Sequence, residues 1–158
     1  MATIQGVYLA LFGRPADPAG LAFFNAATNN GADLTAIGDL SSTDEYQDRF
    51  TGLSNEEIIN SIYQSLFGRD AEPAGLTFFA TALTNNTLNI NNIAIAILDS
   101  AQNDDLADVN AKLAAADLFN ARLDLQVEID AYSGNDAAAI ARNYISNVDA
   151  NDAGTESE

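Results

Sequence analysis

The sequence predicts an all-α fold: duplicated helix-corner-helix units followed by C-terminal helices, packed as one multi-helix domain. Three observations carry this. Residues 7–24, V-Y-L-A-L-F-G-R-P-A-D-P-A-G-L-A-F-F, recur at 62–79 as I-Y-Q-S-L-F-G-R-D-A-E-P-A-G-L-T-F-F, and tandem self-similarity at such a period marks a repeated supersecondary unit. Apolar residues fall at three- and four-residue spacing along the chain, with no sustained alternation of period two. The three prolines all stand at corners.

In the first unit, Ile4, Val7, Tyr8, Leu11 and Phe12 line one helix face. Gly13 follows where a left-handed residue commonly ends a helix. Asp17-Pro18 reads as the next helix start, because the carboxylate accepts orphan N–H groups and proline at the first helical position sacrifices no hydrogen bond. Leu21 and Phe24 are then expected to face the first helix. The second unit repeats the scheme with Ile59, Ile62, Tyr63, Leu66 and Phe67, then Gly68, Glu72-Pro73, Leu76 and Phe79.

Between the copies, Asn29-Asn30-Gly31 is a helix stop and turn. Leu34, Ile37 and Leu40 suggest a short third helix. Ser42-Thr43-Asp44-Glu45 reads as a capping box between Ser42 and Glu45, opening a helix with Tyr46 and Phe50; Ser54-Asn55-Glu56-Glu57 reads as a second box. After the second copy, Ile90, Ile93, Ala94, Ile97 and Leu98 predict a helix, although isoleucine-rich stretches also suit strands. Asp99-Ser100 aligns with the start of the Ser42 helix after a short insertion. Residues 106–131 predict one long helix or two abutting ones. A turn at Ser133–Asp136 introduces a last helix with Ile140, Tyr144, Ile145 and Val148. The expected organisation is one helical domain over 1–148, with repeat 1 at about 4–53, repeat 2 at about 54–105 and C-terminal helices over 106–148. An acidic tail or linker follows at 149–158.

Composition narrows the function. A 158-residue chain that is 47% hydrophobic can bury one ordinary core. No apolar run approaches the ~18–20 residues needed to cross a bilayer, so membrane insertion is not expected. Met-Ala-Thr-Ile-Gln carries no basic or apolar leader, so the chain is expected to stay in the cytosol or to be exported by a route that reads another signal. Six Lys+Arg against 23 Asp+Glu give a net charge of −17. Such a surface repels nucleic acid and anionic lipid while attracting divalent cations and basic partners. The absence of Cys and His removes disulfides, thiolate nucleophiles, the usual zinc ligands and the commonest general base. Carboxylate pairs alone can hydrolyse glycosides, but no spacing singles out a pair, so the chain is read as not an enzyme.

The repeated L-F-G-R-x-x-[D/E]-P-A-G-L-x-F-F resembles the signature of a family of bacterial helical domains of unknown function, Y-x-x-x-L-G-R-x-P-D-x-x-G-L-x-Y-W followed by a serine-acidic helix. Tyr8–Phe24, Ser42–Phe50 and Tyr63–Phe79 carry the likeness, and residues 108–120 resemble the helix that often follows. Phe24 and Phe79 stand where the family usually has tryptophan. Phycobilisome linker domains carry a related corner but are usually basic. The resemblance implies a setting at the N-terminus of surface-layer and calcium-binding repeat-toxin-like proteins exported by one-step (type I) secretion. It implies an extracellular, cell-surface anchoring module that binds lipopolysaccharide or another surface polysaccharide, with calcium assisting and homo-oligomers forming a lattice. The alternative is a self-assembly module without glycan; a glycan hydrolase is a third reading.

Candidate residues follow. Arg14 and Arg69, after the corner glycines, could hold a phosphate or sugar carboxylate, or could brace the corner against Asp17 or Glu72. Phe23 and Phe78, off the main helix stripe, could stack on sugars or meet a neighbouring unit, whereas core packing is the commoner fate of such residues. Asp99, Asn103, Asp104, Asp105 and Asp108 form the best candidate calcium group, since calcium takes six to eight oxygens. Helix capping by the same acids is the simpler alternative. Neither this group nor the two further acidic ones, Asp44-Glu45-Asp48 and Asp149-Asn151-Asp152, matches a calcium loop.

Overall fold

The computed structural model describes residues 1–151; among them lie nine α-helices, two short 3-10 helices and no strand. The order is α1 (Ile4–Phe12), α2 (Pro18–Ala27), the 3-10 turns Leu34–Ile37 and Leu40–Ser42, α3 (Asp44–Phe50), α4 (Asn55–Phe67), α5 (Pro73–Thr84), α6 (Ile90–Ser100), α7 (Asn103–Arg122), α8 (Gln126–Ala131) and α9 (Gly134–Ser146).

The two elbows have the expected construction. Gly13 and Gly68 end α1 and α4 in the left-handed region, at φ 65° and 67°, where a Cβ would be strained. Asp17 caps α2 by accepting the Gly20 N–H at 2.8 Å, with Pro18 at the first helical position. Glu72 stands at the same place before α5 but makes no cap bond. Ser54 and Glu57 form a reciprocal capping box on α4. One polar pair repeats that the motif does not advertise: the Gln5 carbonyl oxygen accepts from the Ala16 N–H at 2.7 Å, and Asn60 does the same for Ala71 at 3.0 Å. Each first helix thus reaches across its own corner.

α1 lies at the centre. All nine of its residues are buried, and it packs on α2, α3, α4, α6 and α7. Its counterpart α4 packs on α1, α5, α6 and α7, so the equivalent helices of the two repeats meet in the middle. Val7, Leu9, Leu11, Ile59, Ile62, Leu66, Ile93 and Ile97 have no exposure; burying one such aliphatic side chain contributes roughly 1.5–3 kcal/mol. Gly6 lets α6 come close, since a Cβ there would stand 3.1 Å from Leu98 Cδ1. The long helix α7 lies across α1 and α4 and carries α9.

Several local expectations change. Leu34–Leu40 is not a helix but two 3-10 turns separated at Gly38, each opened by an aspartate side chain, Asp33 or Asp39. The i, i+3, i+6 spacing fits three residues per turn as well as an α-helix. The box expected between Ser42 and Glu45 does not form: Thr43 is the N-cap, and Glu45 is engaged elsewhere. Asp99-Ser100 ends α6 and does not correspond to the start of α3. Residues 106–131 divide into α7 and α8, where the Glu128 carboxylate turns back to accept the Leu125 N–H. Ile90–Ser100 is helical throughout. The expected boundary at 105/106 falls inside α7, whose first turn belongs with repeat 2, as its ion pair shows below. Of the acidic tail, residues 152–158, including Asp152, lie outside the described residues.

The two repeats predict unequal tolerance at one matched glycine. A Cβ on Gly20 would sit 2.4 Å from the Tyr8 hydroxyl, whereas on Gly75 it would sit 3.5 Å from that of Tyr63. Gly20→Ala is expected to cost about 1–3 kcal/mol by overpacking. Gly75→Ala is expected to be neutral or to gain up to about 1 kcal/mol of helix propensity. Urea denaturation of both variants checks this.

Candidate functional site

Each corner is locked by its arginine. The Arg14 guanidinium lies 5.5 Å from the Tyr8 ring centre and 5.7 Å from that of Phe12; Arg69 takes the same place over Tyr63 and Phe67 at 5.5 and 5.7 Å. From there each forks onto an acid in the first turn of a later helix. Arg14 Nε and Nη2 donate to the two Glu45 oxygens at 2.8 and 2.6 Å, on α3. Arg69 does so to Asp105, on α7, at 2.9 and 2.6 Å. The remaining Nη1 donates to the next residue's carbonyl, Pro15 or Asp70. Planar two-point pairing of this kind fixes direction as well as distance.

The first corner is sealed from outside as well. Tyr132, between α8 and α9, donates its hydroxyl to the Pro15 carbonyl at 2.6 Å and accepts from Arg14. Arg49 and Arg142 both donate to the Phe12 carbonyl at the end of α1, at 2.5 and 2.8 Å, and Arg142 also reaches Glu45. The second corner stays open: the Arg69 side chain is 37% exposed against 10% for Arg14. Near the end of α4 a different cation serves, Lys112, donating to the Ser65 carbonyl at 2.9 Å. Five of the six basic residues are therefore committed to the two corners. Positive charge at a helix C-terminus meets the negative end of the dipole.

This geometry gives Arg14 and Arg69 the bracing role. The calcium candidates are not gathered. Asp99, at the end of α6, accepts the Ala2 N–H and faces the N-terminal ammonium. Asp105 holds Arg69, Asp108 accepts the Ala150 N–H, Asp104 is exposed, and Asn103 opens α7 at φ 52°. Among the described residues no group of three or more acids is arranged to hold a metal ion. Phe23 and Phe78 are exposed, at 66% and 62%.

Two clefts remain. One, of about 370 Å³, lies between Arg14 and the start of α9, and carries the carboxylates Asp17, Asp44 and Glu45. Arg14 and the Gly20 N–H already occupy Glu45 and Asp17 there. The other, of about 440 Å³, opens between the repeats, where the Leu40 turn and α3 meet the start of α4, the end of α5 and the start of α6. Its apolar lining is Tyr46, Ile58, Leu83, Leu88 and Ile90, and its polar lining is Asp39, Ser41, Gln47, Asn55, Asn86 and Asn89. Several of those polar groups have unused capacity. Asn55 uses its NH2 on Thr84 and Gln47 uses its own on Ser41, leaving both carbonyl oxygens; Asn89 uses its oxygen on Asn92, leaving its NH2. The Asn86 side chain makes no bond within the described structure. Behind this wall Asn91 donates to the Gly38 carbonyl, and its buried oxygen has no partner among the described residues. Sequence reasoning missed this cleft, because its amides read as turn and cap residues. It missed Glu45, Asp105, Tyr132, Arg49 and Arg142 as corner partners as well.

Tyrosine titration reports on this packing. Burial, with Asp39 adding to it, pushes the Tyr46 phenol up to about 12, and burial likewise raises Tyr8, Tyr63 and Tyr132. The folded state holds these protons more tightly than the unfolded chain does. Their contribution is thus complete below about 10, the unfolded value, and is lost as pH climbs through the folded values. Arg49 is lowered to about 10 by burial and by Arg142, and Lys112 is lowered by burial. These two act in the opposite sense, favouring the folded state as pH rises. Moving the Tyr46 phenol from 10 to about 12 is worth about 3 kcal/mol, and four tyrosines act in this sense against two cations. Stability is expected to fall steeply above about pH 10. Phenolate absorbance and loss of helical circular dichroism should rise together; full phenolate absorbance with intact helix would contradict the packing.

Residues 38–107 match the family model described as Domain of unknown function (DUF4214). No curated protein and no solved structure matches the chain. The matched stretch contains every residue of the inter-repeat cleft and the whole Arg69–Asp105 brace; this part of the chain is thus similar to a bacterial domain of unknown function.

Proposed function

We propose that the chain is a non-catalytic anchoring module of a surface-layer-like exported protein, and that it holds a cell-surface polysaccharide in the inter-repeat cleft. The observation that carries the proposal is the cleft's chemistry: amide groups with free hydrogen-bonding capacity beside an apolar and aromatic wall. Sugars present hydroxyl groups around an apolar ring face, and pockets of this size commonly place a few polar groups over an apolar lining. No cation lines the cleft, which favours neutral sugar units over phosphorylated ones. Among the described residues Asp39 is its one carboxylate; glycoside hydrolysis ordinarily uses two, which supports binding without turnover. Calcium enters the proposal from outside, by screening the −17 surface and bridging its carboxylates to anionic parts of lipopolysaccharide.

The test is binding to purified surface polysaccharide and lipopolysaccharide, with and without calcium. Asn86 is held at φ 56°, a conformation glycine adopts freely, so Asn86→Gly removes the amide and keeps the turn. Wild type is expected to bind, and Asn86→Gly to bind roughly five- to tenfold more weakly, the loss of about one hydrogen bond. No binding in either condition contradicts the proposal, and hydrolysis of the glycan contradicts its non-catalytic part.

A further inference from the structure

Charge is spread over most of this molecule, and two exposed helices carry none. α2 (Pro-Ala-Gly-Leu-Ala-Phe-Phe-Asn-Ala-Ala) and α5 (Pro-Ala-Gly-Leu-Thr-Phe-Phe-Ala-Thr-Ala-Leu-Thr) contain no Asp, Glu, Lys or Arg. α1 is also uncharged, but it is wholly buried; among the described residues every other α-helix carries at least one charged residue. No residue of α2 is fully buried. On each of the two helices the equivalent phenylalanine points outward, Phe23 at 66% and Phe78 at 62% exposure. Each is held edge-on against its neighbour, Phe24 or Phe79, with ring centres 5.1 Å apart. A ring positioned in this way loses little freedom on docking.

We propose that α2 and α5 are the faces through which copies of this chain associate with one another. The occupant follows from the charge balance. Two molecules of net charge −17 repel wherever their acidic surfaces meet, so they can touch closely only where neither brings a carboxylate. The α2 and α5 faces meet that condition, and they have the composition of an interface centre, aromatic and depleted of charge. The internal repeat supplies two such faces on every copy, so one molecule can engage more than one neighbour. A basic partner protein would instead be drawn to the acidic remainder of the surface. This inference does not rest on the polysaccharide reading, since the contact needs no glycan.

Analytical ultracentrifugation of the described chain without polysaccharide tests it. Wild type is expected to associate as its concentration rises, and more strongly as salt screens the repulsion. Phe23→Ser and Phe78→Ser should each weaken association by about tenfold or more, and the double variant should stay monomeric with unchanged circular dichroism. Ile140→Ser, at a position 72% exposed on the charged helix α9, should associate like wild type. A wild-type monomer across the whole range of concentration and salt would overturn the proposal. So would a double variant that associates like wild type, or association that weakens as salt is added.

Discussion

Arginine forked onto a carboxylate, set just after a left-handed glycine, is the contact on which this architecture depends. A helix-corner-helix unit of this size cannot bury its apolar stripe alone; it needs a further helix laid against it at a fixed angle. Arg14 and Arg69 supply that angle by joining the corner to the first turn of α3 or α7. The arginine also covers the two aromatic rings beneath it, so the same side chain closes the core and aims the next helix. A buried ion pair is weak support for stability by itself, since desolvation offsets much of the attraction. Its contribution here is directional: an aliphatic replacement could fill the space without choosing a partner helix.

The braces also decide what the exterior looks like. Because five of six basic residues serve the corners, the outer surface is left almost uniformly acidic. A molecule of this kind is kept apart from its own copies and from anionic surfaces by long-range repulsion. Close contact is then confined to the places where charge is absent or where hydrogen bonding replaces it. The uncharged α2 and α5 faces are one such place and the amide-lined inter-repeat cleft is the other. Surface attachment and neighbour contact, as proposed, would use different residues, with α5 contributing Leu83 to the first and Phe78 to the second.

Much of this was legible in the sequence wherever the controlling physics is local. Gly13, Gly68, Asp17-Pro18 and the Ser54–Glu57 box act within one helix turn, and periodicity alone marks the buried stripes of α4 and α6, whereas α1, expected to bury one face, is buried on every side. Phe23 and Phe78 lie off the main helix stripe and are the better candidates for exposure, although core packing is the commoner expectation; both are exposed. What was hidden depends on distance along the chain. Arg14 meets Glu45 31 residues on, while Arg69 meets Asp105 36 residues on, and this difference of five (36 − 31) displaces the acid from its repeat-matched position. Tyr132 and Arg142 reach the first corner from 118 and 130 residues away, where no spacing rule applies. Spacing of three misled at Leu34–Leu40 because 3-10 and α turns share it.

The two corners share their brace and differ in their exposure, and that difference allows a direct measurement. Double-mutant cycles for Arg14→Gln with Glu45→Gln, and for Arg69→Gln with Asp105→Asn, isolate the coupling between each pair from the cost of either change alone. The sealed first corner should show a coupling of about 2 kcal/mol. The half-open second corner, screened by water, should show no more than about 1 kcal/mol. Additivity within about 0.5 kcal/mol at the first corner would mean that the fork does not hold α3 in place, and the account of the fold built on it would fail.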